Sequence, residues 1–167
     1  MIFETENLLV RKLVASDLEA FHKMQSNPKV MQYATGIVKS LEAHKIELDG
    51  LISKYDVIDN DFWIYAVVQK KDSAFIGTVA LVKDEGNNEI GYRFLEDFWG
   101  NGFGTETCKG LINYCKESNF KKLTAYAVDA NIASQKILEK LDFKFVKKQI
   151  AEDLQLQETK YELYLWL

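Results

Sequence analysis

The chain is poor in the residues that build specialised scaffolds. Its 167 residues include one proline (Pro28), two cysteines (Cys108, Cys115) and two histidines (His22, His44). So few cysteines exclude a disulfide-stapled fold. On a helix the two thiols would stand about 10 Å apart along the axis, too far for a disulfide. No Cys/His cluster has metal-ligand spacing, so no metal is expected. No run approaches the ~18 apolar residues of a membrane helix, and the start, MIFETENLLVRKL, has no basic segment followed by an apolar one. These absences predict a cytoplasmic protein without a membrane partner. A net charge of −4 argues against a nucleic-acid partner, which calls for a basic face. It leaves room for a small anion held by backbone amides.

What is present is ordinary for a globular chain: 47% hydrophobic and 28% charged residues, enough for one domain spanning residues 1–167. Residues 8–13 (LLVRKL) read as a strand. Ser16, Asp17 and Glu19 resemble a capping-box start for a helix with Leu18, Phe21 and Met24 on one face. Asn27-Pro28 is a second helix start. Leu41, Leu48, Leu51, Ile52 and Tyr55 lie near one stripe of a helix over 40–55. Then FWIYAVVQ, FIGTVALVK and NEIGYRFL, separated by KKDS and DEGNN, form an antiparallel meander by pattern. A helix over about 104–118 has Cys108, Leu111, Ile112 and Cys115 at i, i+3, i+4, i+7. A strand at 123–128, a helix from Asn131 to Leu141, and strands at 143–150 and 159–167 follow. The expected fold is α/β (α+β), with a mixed, mostly antiparallel sheet of about six to seven strands. The helix between strands 88–95 and 123–128 makes that pair parallel.

Of nine glycines, three fall within five residues: Gly100, Gly102 and Gly104. They lie between a strand and a helix, where glycine permits positive φ and close ligand approach. The helix start beyond them offers unpaired N–H groups and a positive dipole end. That combination suits phosphate or pyrophosphate. No lysine follows Gly104, so the loop is not a nucleoside-triphosphate P-loop. A dinucleotide fingerprint is matched only in part: Thr105 stands at the third glycine position, and Asp129 is a loose ribose acid. Farther along, Asn131 caps the next helix, with Ser134 in its first turn.

Glu89-Ile90-Gly91-Tyr92, then Phe98-Trp99-Gly100-Asn101-Gly102-Phe103-Gly104-Thr105-Glu106, then Asp129-Ala130-Asn131-x-x-Ser134-x-x-Ile137-Leu138-Glu139-Lys140-Leu141-x-Phe143 resembles the GNAT superfamily of acyl-CoA N-acyltransferases. Thr5-Glu6-Asn7-Leu8, Asp17-Leu18 and Asn27-Pro28-Lys29-Val30-Met31 are similar to its ribosomal-protein N-terminal (RimJ/RimL-like) branch. The resemblance covers essentially the whole chain. It implies a splayed sheet and acetyl-CoA as co-substrate. Pantetheine would lie along the backbone around Phe94 and Leu95. Pyrophosphate would sit on the amides of Trp99, Gly100, Asn101, Gly102, Phe103, Gly104 and Thr105. The implied activity is N-acetylation of a primary amine, a peptide N-terminus or a small molecule, by direct transfer through a tetrahedral intermediate.

Three positions depart from the family pattern. Trp99 replaces a Gln or Arg. Asp142 replaces a glycine before Phe143, and Asp tolerates left-handed backbone angles. Leu138 occupies the place of a tyrosine general acid found in many relatives. In the branch that the chain resembles, a serine at this place lies near the cofactor sulfur, so the resemblance implies Ser134 as the candidate acid for the leaving thiolate, with Asn131 orienting pantetheine or a bridging water. Glu89 is the candidate base or ammonium-attracting group. Tyr33, Trp63 and Tyr126 are candidate acceptor-lining residues. Cys108 and Cys115 are expected in the core, and the histidines at the surface or in packing. The aromatic C-terminal strand, Tyr161–Trp166, offers a homodimer contact or core. The alternatives are a non-catalytic acyl-CoA-binding sensor and, behind it, a dinucleotide-binding domain.

Overall fold

A computed structural model describes residues 1–84 and 86–166. Glu85, in the turn expected between the second and third meander strands, and Leu167, at the end of the last expected strand, lie outside the described residues. One eight-stranded sheet runs through the chain in the order β1-β2-β3-β4-β5-β6-β8-β7. Its strands are β1 Phe3–Glu4, β2 Leu8–Lys12, β3 Phe62–Gln69, β4 Phe75–Asp84, β5 Asn87–Phe94, β6 Lys122–Val128, β7 Lys144–Ile150 and β8 Gln157–Tyr164. The expected six to seven strands become eight because of β1. Two residues are too short to display an alternating pattern, and β1 exists by pairing Phe3 with Val10 and Glu4 with Leu9. Only β5 and β6 pair in parallel; every other neighbouring pair is antiparallel.

The helices are α1 Leu18–Gln25, α2 Pro28–Met31, α3 Leu41–Ser53, α4 Phe103–Glu117 and α5 Ile132–Lys140. The first begins differently from the sequence expectation. A 3₁₀ turn, Ala15–Asp17, precedes it, and Asp17, not Ser16, does the capping. Its carboxylate accepts the Val14 N–H at 2.9 Å and both Arg11 Nη atoms at 2.8 Å. A bidentate guanidinium holds a carboxylate more firmly than a hydroxyl can. Asn27 caps α2 as expected, accepting from the Lys29 N–H at 2.9 Å. In α3 the expected stripe shifts: Leu41 is exposed, and His44 is buried in its stead. The reason is tertiary, because the His44 Nδ1 lies 2.8 Å from His22 Nδ1 of α1.

Strand alternation divides the core into two. Ile90 and Phe94 of β5, with Leu123, Ala125 and Ala127 of β6, pack toward Leu111, Ile112 and Cys115 of α4 and Leu138 of α5. On the other face Ala66, Val68 and Leu95 meet Phe21 and Met24 of α1 and Leu48 of α3. In β8 and beyond, Tyr161 is core, whereas Tyr164 and Trp166 are exposed. Among the described residues no helix is long and apolar enough to cross a membrane.

The N-terminus is tied to α4 by one side chain. Glu106 accepts Thr5 Oγ1 at 2.6 Å, the Asn7 N–H at 2.8 Å and Asn7 Nδ2 at 3.2 Å. Burial pushes the Glu106 carboxyl up, but the bonds from Thr5 and Asn7 outweigh it and hold it below the ordinary glutamate value. A carboxyl depressed in this way stabilises the fold above the unfolded-state pKa of about 4.3, and the contribution is lost as pH falls through the folded value. Glu106→Gln is therefore expected to lower stability at neutral pH by roughly 1–3 kcal/mol. The gap from wild type in urea midpoint should close in acid; a gap independent of pH would refute the anchoring role.

Candidate active site

The register between β5 and β6 covers two pairs, Glu89↔Thr124 and Ile90↔Ala125. β5 stays paired with β4 as far as Phe94, and β6 with β8 as far as Val128. The two strands thus diverge after Ile90, and β5 from Gly91 to Phe94 has no ladder partner on its β6 side among the described residues. Unpaired amides and carbonyls along such an edge accept an extended ligand as a strand would. The resemblance implies this contact around Phe94 and Leu95. The Phe94 carbonyl already accepts the Trp99 indole N–H at 2.9 Å, and the Leu95 N–H donates to Ile76 at 2.9 Å. The open edge therefore lies mainly upstream, toward Gly91.

At the end of this edge stands the glycine loop. A 3₁₀ turn, Glu96–Phe98, leads into it. Gly100 and Gly102 have φ of 76° and 81°, in the left-handed region that strains any residue with a Cβ. Gly104 has a different reason: a Cβ there would approach Ile137 Cδ1 of α5 to 2.9 Å. Two glycines thus shape the turn, and the third lets α4 and α5 close on each other. Asn101 Nδ2 donates to the Phe98 and Trp99 carbonyls at 3.1 Å each. Gly102 is the N-cap of α4, leaving the first-turn amides from Phe103 to Thr105 to face an anion. Trp99, exposed at the rim, fixes the loop through its indole N–H. The loop is buttressed from α2 as well, since Asn27 Nδ2 donates to Glu96 at 2.7 Å and Lys29 pairs with the same carboxylate. Those bonds hold the Glu96 carboxyl below its ordinary value. An open edge joined to a ring of amides fits a ligand with an amide-bearing arm and a pyrophosphate.

Across the gap, Asn131 caps α5 by accepting the Ser134 N–H at 3.2 Å, and Ser134 Oγ lies 2.9 Å from the Tyr92 hydroxyl. Burial pushes that phenol well above its ordinary value, so Tyr92 stays protonated. Tyr92 is the residue that sequence reasoning missed. Ser134 lies 42 positions away, and the only sequence sign was the alternation that set Tyr92 beside Ile90 and Phe94. Leu138, where many relatives carry a tyrosine, is buried core.

The acceptor candidates divide between faces. Glu89 is half-buried and in register with Thr124. Tyr126, two residues on from Thr124, shares that face. The Thr124 hydroxyl is buried and has no partner among the described residues. Tyr33 lies half-buried in the turn after α2. Trp63 stacks on Tyr55 and Tyr65 and is in register with Leu81, which is in register with Ile90. That places Trp63 on the α4 face, and the structure does not bring it together with Glu89. Asp129, the loose ribose acid, accepts Thr159 Oγ1 at 2.7 Å and pairs with Lys148. It is engaged in joining β6, β7 and β8.

Comparison with known proteins bears on what this geometry serves. The family model described as acetyltransferase (GNAT) domain matches residues 7–144. A curated relative, an uncharacterized N-acetyltransferase, YoaA, of Bacillus subtilis, is 26% identical over 147 residues, covering 85% of this chain and 82% of its own. A GNAT-family acetyltransferase from Bacillus anthracis superposes with a TM-score of 0.86 at 20% identity, covering 98% of each chain. RimL, the ribosomal L7/L12 alpha-N-protein acetyltransferase in complex with coenzyme A, gives 0.82 at 16% identity, covering 96% of this chain and 95% of that one. At such identities the solved structures speak to the fold alone.

Both cysteines are free and buried, and burial pushes their thiols up, that of Cys115 to about 12. A thiol attacks as thiolate, so neither serves as a nucleophile here. Ellman's reagent is expected to titrate no thiol in the native protein and two after denaturation. A thiol titrating in the native state would reopen a covalent route.

Proposed function

The chain belongs to the GNAT acetyltransferase family, and from that premise we propose that it moves an acetyl group from acetyl-CoA directly to a primary amine. The observation that carries this reading is the β5–β6 ladder, which stops after Ile90↔Ala125 and opens beside the loop of Gly100 and Gly102. When bound, acetyl-CoA supplies the activated acyl group. Open β5 amides near Gly91 stabilise negative charge on a carbonyl oxygen set against them. Ser134 Oγ–H holds a proton for the departing sulfur, and the Tyr92 hydroxyl donates to Ser134 Oγ, stabilising it as it gives that proton up. Asn131 holds Ser134 in place through its cap. Glu89, on the opposite face of β5, takes a proton from the acceptor ammonium through water. The acceptor is an α-amine of a peptide, as in the RimJ/RimL-like branch, or that of a small molecule; the fold by itself does not choose.

Acetyl-CoA at a hundredfold excess over Kd should stabilise the protein by about 2.7 kcal/mol, a Tm rise of roughly 5–10 °C for this size. NADH and ATP should not match it. Gly102→Glu, which adds strain and negative charge at the N-cap, is expected to abolish the shift; retained binding would sink the loop assignment. A shift without CoA release across an amine panel would instead mark a sensor.

Ser134→Ala should lower kcat by roughly 100-fold with little change in acetyl-CoA affinity, and an unchanged kcat would remove Ser134 as the acid. A base acts only when deprotonated, so the rate rises with pH through its pKa. Glu89→Gln should erase that acidic limb; superimposable pH–rate profiles would dismiss Glu89.

A further inference from the structure

Arg93 is the charged residue that the acetyl-transfer scheme leaves unused. It lies on β5 four residues after Glu89 and two after Gly91, on the face toward α1 and α3. At about 3.3 Å per residue, its Cα is ~10 Å beyond Ile90, where the β6 ladder stops. The side chain is half-buried; burial lowers its pKa, and the more distant charge of Glu47 works against that. Its Nη1 donates to Gln25 Oε1 at 2.8 Å. Gln25, itself 2% exposed, donates Nε2 to Glu47 at 3.1 Å, and Glu47 is paired with Lys39 at 3.6 Å. A neutral amide therefore separates the guanidinium from Glu47. Among the described residues no carboxylate comes within ion-pair distance of Arg93.

Beside Arg93 lies a cavity of about 70 Å³, lined also by Gln25, Thr35, Lys39, His44 and Glu47. It has room for a carboxylate or a few waters. Glu47 offsets one of its two cations. His44 is held toward its neutral form, by burial first and then by the charge of His22. One positive charge is left without a counter-ion. A guanidinium has five donors in a planar fork, and taking such a group out of water is costly without an anionic partner. A carboxylate matches the fork with two parallel bonds. The cavity lies on the Glu89 face, opposite the Tyr92–Ser134 pair.

We propose that Arg93 seats the carboxylate of the acceptor, and that the acceptor is a small amine carrying a carboxylate, an amino acid. This rests on the acetyltransferase reading and narrows its acceptor. Arg93 and Gln25 form a specificity site: Gln25 aims the guanidinium and stands between it and Glu47 in place of a direct ion pair, so that the carboxylate of the substrate completes the pair.

The test uses product-side ligands, so that it needs no turnover. A panel of N-acetyl amino acids and their C-terminal carboxamides is titrated calorimetrically into the full chain saturated with CoA. At least one acid should bind ten-fold or more tighter than its amide. That preference should fall to within two-fold in Arg93→Gln and be partly kept in Arg93→Lys. Gln25→Glu, which supplies an internal carboxylate to Arg93, should also erase it, and this keeps the proposal testable where Arg93→Gln does not fold. No acid-over-amide preference, whether both ligands bind or neither does, overturns the proposal, as does a preference that survives Gln25→Glu. Failure of the broader reading looks different: acid preference through Arg93 without CoA release from any amine keeps this site and removes the transferase activity. Acetylation of amines regardless of a carboxylate keeps the activity and removes this site.

Discussion

The two-pair ladder between β5 and β6 is the constraint on which the rest depends. A sheet opened in its middle would ordinarily come apart or recruit another strand. Here each diverging strand has a full partner on its outer side: β5 is in register with β4 over eight pairs, and β6 with β8 over seven. The parallel pairing at Glu89 and Ile90 acts as a hinge point between two antiparallel halves. Among the described residues the opening leaves β5 without ladder partners on its β6 side from Gly91 onward, and a backbone donor or acceptor costs about 1–3 kcal/mol when dry and unmade. That is a standing affinity for an extended, amide-bearing molecule.

An open edge alone would bind any strand. On the proposed reading the glycine loop makes the site selective, and the loop is held by side chains supplied from far along the chain. Glu96 takes Asn27 and Lys29, and Glu106 takes Thr5 and Asn7. One carboxylate braces the entry to the loop and the other the first turn of α4 beyond it. With left-handed angles at Gly100 and Gly102 between these braces, the amides are fixed before an anion arrives, and little ordering remains to oppose binding.

Much of this was legible in the sequence because it is local. The meander, the face of Cys108, Leu111, Ile112 and Cys115, the asparagine caps and the loop glycines each follow from a few neighbouring residues. Asp142 adopts φ of 65°, as its place before Phe143 suggested. The same motifs pointed to the strand-to-helix loop and to the α5 cap but not to how either is held. Thr5-Glu6-Asn7 and Thr105-Glu106 read as separate signatures, and only the fold joins them, across 99 to 101 residues. What stayed hidden is likewise non-local. Asp17 overrides Ser16 because Arg11 of a neighbouring strand reaches it, and His44 displaces Leu41 from the buried stripe because His22 waits on α1. Tyr92 meets Ser134 across the gap. In each case the deciding partner belongs to another element, and no periodicity within either segment encodes it.

Alternation along β5 then separates the two halves of the chemistry. Ile90, Tyr92 and Phe94 face α4 and α5, the side on which the Tyr92 hydroxyl meets Ser134 Oγ. Glu89, Gly91 and Arg93 lie on the opposite face, that of α1 and α3, where the proposed base and the proposed carboxylate seat stand. Gly91, the residue without a side chain on that second face, is the first beyond the last ladder pair, so backbone and not side chain is presented there. A strand with a period of two can deliver donor and acceptor groups from opposite sides only if its register is fixed, because a slip of one residue would exchange the faces. The eight paired positions with β4 fix it. The antiparallel half of the sheet therefore sets the geometry of the parallel seam at which the proposed reaction would take place.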